Sequence, residues 1–212
     1  MKENFKLQVI GDVLIKDNAS NVLMNKQNAI HNGNMATAIA RGLSNSSHYQ
    51  VFKLKLGNQG TYIDSSQQIV FRAPNTTGVS ADLYNPTYVE VVDDSESSVG
   101  VGNSVTFTNI PSSTSTRVIV TCVVSANEAV NRPNDGGDVN GDLDETQLET
   151  IDPEGTYFFD ELGLFTEGNP QVGETLLNET DELMLSHLVF SPIEHTGNRE
   201  LTIIYTLTIT VT

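Results

Sequence analysis

The sequence predicts an all-β protein: an antiparallel β-sandwich of jelly-roll type, with one short α-helix and an acidic loop insertion, folded as a single domain over residues 1–212. Three observations lead there. Short runs rich in Val, Ile, Thr and aromatic residues recur along the chain, separated by clusters of Gly, Pro, Asn and Ser. The closing segment Leu201–Thr212 alternates without a break, Leu201, Ile203, Tyr205, Leu207, Ile209 and Val211 on one face and mostly threonine on the other. A hydrophobic content of 38% over 212 residues is enough for a sizeable core, and 16 Gly with 7 Pro suits a protein with many turns.

Residues 1–30 read as an N-terminal arm of two short strands. Phe5, Leu7 and Val9 alternate with Lys6 and Gln8, and turn signals follow at Gly11-Asp12 and Asp17-Asn18-Ala19-Ser20. Such an arm can pair within its own sheet or add to the edge of a neighbouring subunit. A helix is expected over residues 33–44, with Met35, Ile39 and Leu43 on its apolar stripe and Asn32 or Asn34 accepting from its free amides. His31, at its entry, is expected to cap the helix or to sit on the polar surface.

Val51–Leu56 predicts a half-exposed strand, with Phe52, Leu54 and Leu56 inward and Lys53 and Lys55 in solvent. Gly57-Asn58-Gln59-Gly60 predicts a tight turn; it opens neither a helix nor a Gly-Lys-Ser/Thr sequence, so it does not read as a phosphate cradle. Further strands are expected at Ile69–Phe71, Thr87–Val92, Ser104–Phe107 and Thr116–Ser125. The run Val118–Val124, apolar on both faces, predicts a mid-sheet strand covered on both sides. Residues 126–155 change abruptly to Asn, Asp, Gly and Glu and form the expected acidic insertion.

The ten residues Tyr157–Thr166 then join this insertion to the most strand-like part of the chain. Phe159, Leu162 and Leu164 are the expected packing residues and Gly163 the expected bend. Leu183–Pro192 and Leu201–Thr212 predict a closing hairpin whose threonine face needs a cover, from a second sheet or from a neighbouring subunit.

Charge and cysteine content narrow the function. With 27 Asp and Glu against 11 Lys and Arg the net charge is −16, the wrong sign for binding nucleic acid or an anionic membrane. The single Cys122 excludes an intrachain disulfide and reads as a small buried hydrophobe. No apolar run of about 18 residues is present, and Met-Lys-Glu-Asn-Phe lacks a signal-peptide core, so synthesis without export is expected.

One motif has metal-ligand spacing. Asp138, Asn140, Asp142, Asp144 and Glu149 occupy positions 1, 3, 5, 7 and 12 of a calcium loop of the EF-hand kind. Leu143 replaces the glycine that loop needs, and Pro133 and Pro153 stand where helices would flank it, so the choice is between a Ca2+ site and a solvated acidic loop. Asp160 and Glu161 should point to opposite faces of a strand, one toward solvent and one pairing with Arg199 or Arg117. His31, His48, His187 and His195 lack the spacing of a metal site, His187 being expected at a hydrogen-bonded core or interface position. With no nucleophile elbow and no partner marked for Cys122, no enzyme is expected and no cofactor beyond the possible Ca2+.

Three stretches together carry a family resemblance: Asn21–His31 leading into the helix, Ala81-Asp82-Leu83-Tyr84-Asn85-Pro86-Thr87-Tyr88, and Phe159-Asp160-Glu161-Leu162-Gly163-Leu164. They resemble structural virion proteins of tailed bacteriophages, especially contractile-tailed ones, and the third is similar to an element of β domains in tail, fibre-attachment and baseplate components. The resemblance covers most of the chain, and its motifs are structural. It implies a non-enzymatic virion protein, assembled in the host cytoplasm, that forms a ring of its own copies in the neck or collar, tail or baseplate and contacts neighbouring virion proteins. A capsid decoration protein is the first alternative, and a calcium-dependent carbohydrate-binding or adhesin module the second. In a ring, the acidic charge would either line a channel that repels DNA phosphates or solubilise an outer surface.

Overall fold

In the computed structural model the first and last strands lie side by side. The structure describes residues 6–44, 48–78, 80–92, 102–111, 114–126, 156–168 and 181–212. Strand β1 (Leu7–Asp17) pairs antiparallel with β12 (Leu201–Val211) along its whole length, from Leu7 opposite Val211 to Asp17 opposite Leu201. β2 (Val22–Gln27) flanks β1, and β9 (Ser115–Val124) and β8 (Ser104–Asn109) extend the other side, giving a five-stranded sheet in the order β2-β1-β12-β9-β8. The described arm residues of β1 and β2 thus pair within one sheet, and β1 runs unbroken through Gly11-Asp12, where a turn was expected. The second expected turn closes from Asp17, whose carboxylate accepts from the amides of Ala19 and Asn21 at 3.0 and 2.8 Å.

A second five-stranded antiparallel sheet faces the first. Its order is β3 (Ala29–Ile30), β11 (Met184–Thr196), β10 (Thr156–Thr166), β4 (Val51–Gly57), β7 (Pro86–Val91). One core fills the space between them. Val13, Ile15, Val120, Cys122, Ile203 and Tyr205 from the first sheet meet Leu54, Leu56, Phe159, Leu162, Leu164 and Phe190 from the second. The described residues therefore form an all-β sandwich with one short helix. The Tyr205 hydroxyl crosses the core to donate to Ser186 Oγ at 2.5 Å, and burial holds its phenol far above the usual tyrosine range.

The closing hairpin is not formed. β11 belongs to one sheet and β12 to the other, so the chain from Thr196 to Leu201 crosses the sandwich. Alternation identified which face of β12 is buried but not its neighbour. The threonine face is the outer face of its sheet, half-exposed, and the second sheet covers the opposite side. Likewise β9 is covered on one side only: Val120, Cys122 and Val124 are buried, Ile119, Thr121 and Val123 half-exposed.

Helix α1 (Asn32–Leu43) is capped by His31, whose Nδ1 accepts from the Asn34 amide at 3.1 Å while Nε2 lies 2.7 Å from the Gly78 carbonyl. These bonds fix the neutral tautomer, with the proton on Nε2. Asn32 and Asn34 do not cap; Asn34 is buried and donates to the Met184 carbonyl at 3.1 Å. The buried stripe is Asn34, Met35 and Ala38 with Ile39 beside it, and Leu43, expected on that stripe, is 85% exposed because the helix meets β11 only through its first turns.

Between β4 and β7 the chain leaves the sheet. It forms a two-stranded hairpin, β5 (Thr61–Ile63) with β6 (Ile69–Phe71), then returns across the outer face of the second sheet. That cover creates the most polar part of the interior. No described helix is long and apolar enough to cross a membrane.

Candidate functional site

Two residues of β10 span four of β11, since Phe159 pairs with Ile193 while Glu161 pairs with Val189. The extra length of β11 contains Pro192, which has no N–H to give to a ladder and so fits where pairing is interrupted. Strict alternation fails at this bulge. Phe159 points into the core, as do Leu162 and Leu164 beyond it, and both Asp160 and Glu161 reach the same returning loop on the outer side.

Each carboxylate is filled by donors from that loop. Asp160 Oδ1 accepts from the Gly60 amide at 2.8 Å, and Oδ2 accepts from the Thr61 amide at 2.8 Å and the Thr61 hydroxyl at 2.5 Å. Glu161 Oε1 accepts from the Asn85 amide at 2.8 Å, with the Gln59 amide at 3.4 Å; Oε2 accepts from the Tyr84 amide at 2.9 Å and lies 3.1 Å from His187 Nε2. The Gly57–Gly60 segment is thus an anion cradle after all, and its anion is the protein's own. Gly57 is required by close approach: a Cβ there would lie 2.4 Å from the Asn85 carbonyl and 2.6 Å from Glu161 Oε1.

The electrostatics follow from this packing. Burial alone would raise the Glu161 pKa, but hydrogen bonds from His187, Tyr84 and Asn85 outweigh it and hold the carboxyl below its usual range. His187 Nδ1 accepts from the Asn75 amide at 2.8 Å, so the neutral ring carries its proton on Nε2, aimed at Glu161. The Tyr84 ring packs 5.7 Å from the imidazole, and its hydroxyl donates to the Ala73 carbonyl at 2.7 Å.

One strand over, Lys53 and Lys55 are fully buried, contrary to the half-exposed strand expected from sequence. Glu182 bridges them: Lys53 Nζ is 2.7 Å from its Oε2, Lys55 donates to its Oε1, and Lys55 also lies 3.6 Å from Asp82 and 4.3 Å from the centre of the Phe165 ring. Burial raises the Glu182 pKa despite both lysines. Gly163 is not a bend. It pairs regularly with His187 and Lys55, and its missing side chain leaves room for Phe165 and Leu83, atoms of which would lie 2.7 and 3.0 Å from a Cβ.

Chemically, this is a clasp. Asp160 and Glu161 are buried and already accept as many hydrogen bonds as their oxygens hold well, an arrangement that fixes a loop and offers substrate no group. The expected solvent-facing member and arginine partner are absent: Arg199 donates to the Glu194 carbonyl at 2.8 Å, and Arg117 lies on β9 of the other sheet. His187 is at the hydrogen-bonded core position expected of it. Asp138, Asn140, Asp142, Asp144 and Glu149, with residues 127–155 of the insertion, lie outside the described residues. Among the described residues no three His, Cys, Asp or Glu side chains are grouped to hold a metal ion.

Sequence reasoning missed the convergence of His187 on Glu161 and the burial of the lysines. Pro192 within an apolar strand and the glycine pair after β4 were the available signals for the bulge and the cradle. Nothing local marks Lys53-Leu54-Lys55 as covered. No family model, curated protein or solved structure matches this chain.

Proposed function

We propose that the protein is a non-enzymatic structural protein acting through protein–protein contacts, a ring-forming component of the neck or collar, tail or baseplate of a tailed phage virion. The observation that carries this reading is a contrast. Among the described residues the buried ionisable groups that converge are spent inside on holding the fold, whereas large apolar side chains are presented outside on short strands: Ile63 and Phe107 are 71% and 74% exposed, with Ile69 and Phe71 beside the first. Exposed apolar strand surface of this kind marks protein contact sites. The phage assignment rests on the three sequence stretches named above, and the third of them, Phe159–Leu164, is here the clasp that organises the second sheet.

Native mass spectrometry of the purified chain tests the ring: a single closed oligomer of fixed copy number is expected, and a monomer at every concentration would sink it. Labelled imaging of virions tests the location. Label confined to the neck, tail or baseplate supports the proposal, and label spread over the capsid shell would replace it with the decoration protein.

A further inference from the structure

We infer that copies of this chain join head to tail, the β5–β6 hairpin of one copy seating on the β8 end of the next. The inference rests on the ring reading and names the two surfaces that make it. They lie at opposite edges of the molecule. Lys26 of β2 sits over the Phe71 ring, its Nζ 5.2 Å from the ring centre, so the hairpin stands beside the β2 edge of the first sheet, and β8 is the other edge of that same sheet.

At the β8 edge the inward-facing side of the sheet runs beyond its cover. Phe107 shares a register row with Val118 and Leu207; Leu207 is buried in the core, yet Phe107 is mostly in solvent. Farther along the same face Leu7 and Val211, directly paired, are 43% and 41% exposed. Among the described residues β8 pairs only with β9, leaving its outer backbone edge open. At the opposite edge Ile63 pairs with Ile69, and two residues along the same face Phe71 pairs with Thr61, so the three apolar side chains share one side of a hairpin with no further strand partner among the described residues.

Charge selects a second copy as the occupant. A protein of net charge −16 repels its own copies except where carboxylates are missing. Residues 102–111, 114–126 and 201–212, which build the β8 end, contain no Asp or Glu and carry Arg117 as their only formal charge. The hairpin from Thr61 to Arg72 is neutral, with Asp64 against Arg72, and Asp64 is occupied by the Ser66 and Gln68 amides at 2.8 and 2.9 Å. Two unlike apolar surfaces on opposite edges form a heterologous contact, which closes into a ring when its rotation allows.

The test uses Phe107→Asp and Ile63→Asp, both at exposed positions, with circular dichroism as the check on folding and Leu7→Asp and Ile69→Asp as replacements should either fail it. By native mass spectrometry each variant alone is expected to dissociate to single copies, association weakening about 30-fold or more as for a hot-spot residue. Mixed together they are expected to form one-to-one pairs and nothing larger, because each supplies the surface the other lacks. Wild-type assembly by either variant overturns the inference while leaving the ring intact, and monomers that stay single on mixing overturn its head-to-tail form. A monomeric wild type removes the ring reading itself.

Discussion

On the sheet that contains β12, the residues pointing away from the core, Thr202, Ile204, Thr206 and Thr208, are half-exposed; on the sheet that contains β4, the residues pointing away, Lys53 and Lys55, have no exposed surface at all. Both strands alternate cleanly in sequence. The difference is made elsewhere, by the chain between β4 and β7, which returns over the second sheet and supplies the amides of Gly60, Thr61, Tyr84 and Asn85 to its carboxylates. Alternation therefore states which residues share a face but not what lies over that face. The polar face of one sheet meets water, and that of the other is a second, polar interior.

The sharpest way to break this comparison is to remove the clasp. Glu161→Ala would leave the Tyr84 and Asn85 amides and the His187 ring without their acceptor in a buried site, and a loss of about 3–5 kcal/mol in urea unfolding is expected. A loss under about 1 kcal/mol would mean that the returning loop is held by its apolar contacts alone and that the second sheet resembles the first. Gly163→Val tests the same cover from the packing side. Its Cβ meets Phe165, Leu83 and, at 3.1 Å, the unyielding Ser186 carbonyl, so about 1–3 kcal/mol of overpacking is expected, with Leu83 displaced from the sheet.

Much of the first sheet was legible for a physical reason: its inward residues Ile203, Tyr205 and Leu207 face a core and its outward threonines face solvent, the situation in which period 2 carries information. Its pairing was not legible. β12 prefers β1 and β9 over the adjacent β11, and nothing within a single strand encodes that choice. The clasp was illegible because alternation sends Asp160 and Glu161 to opposite faces, a rule the β11 bulge around Pro192 breaks. The helix start was legible as a local feature but its cap only in part: His31, expected to cap or to lie on the surface, caps from a buried position, and Asn32 and Asn34, expected as the acceptors, do not.

Acid should act on the second sheet through two groups of opposite sign. Glu161 has a pKa below its ordinary 4.5 in the fold, so its contribution is fully present above pH 4.5 and is lost as pH falls through the depressed value. Glu182 has the opposite sign: its raised pKa favours the protonated form in the fold, so its contribution declines as pH rises above 4.5. The stability gap between the wild type and Glu161→Gln is expected to be constant from pH 7 to about 5 and to narrow below 4.5, read from urea midpoints across that range. A gap that instead widens with acid would show that the Glu161 carboxylate is not the group stabilised by the loop amides.

The smallest expected effect is the control on the other sheet. Thr206 sits on the outer face of β12, opposite Asp12 on one side and Ile119 on the other, in a position equivalent in alternation to that of the buried lysines. Thr206→Ala removes a hydroxyl that can bond to water and one methyl from a half-exposed surface. Only the preference of strands for β-branched residues is lost, so about 0.5 kcal/mol or less is expected in the same urea experiment. A loss comparable to that of Gly163→Val would mean that the threonine face is covered in solution. No described element of the chain lies over it, so a loss that grows with protein concentration would assign the cover to a neighbouring molecule, and a concentration-independent one would assign it to this chain. A small, concentration-independent effect leaves the contrast between the sheets intact and keeps the contact surface where the apolar side chains are, at the β8 end and on the β5–β6 hairpin.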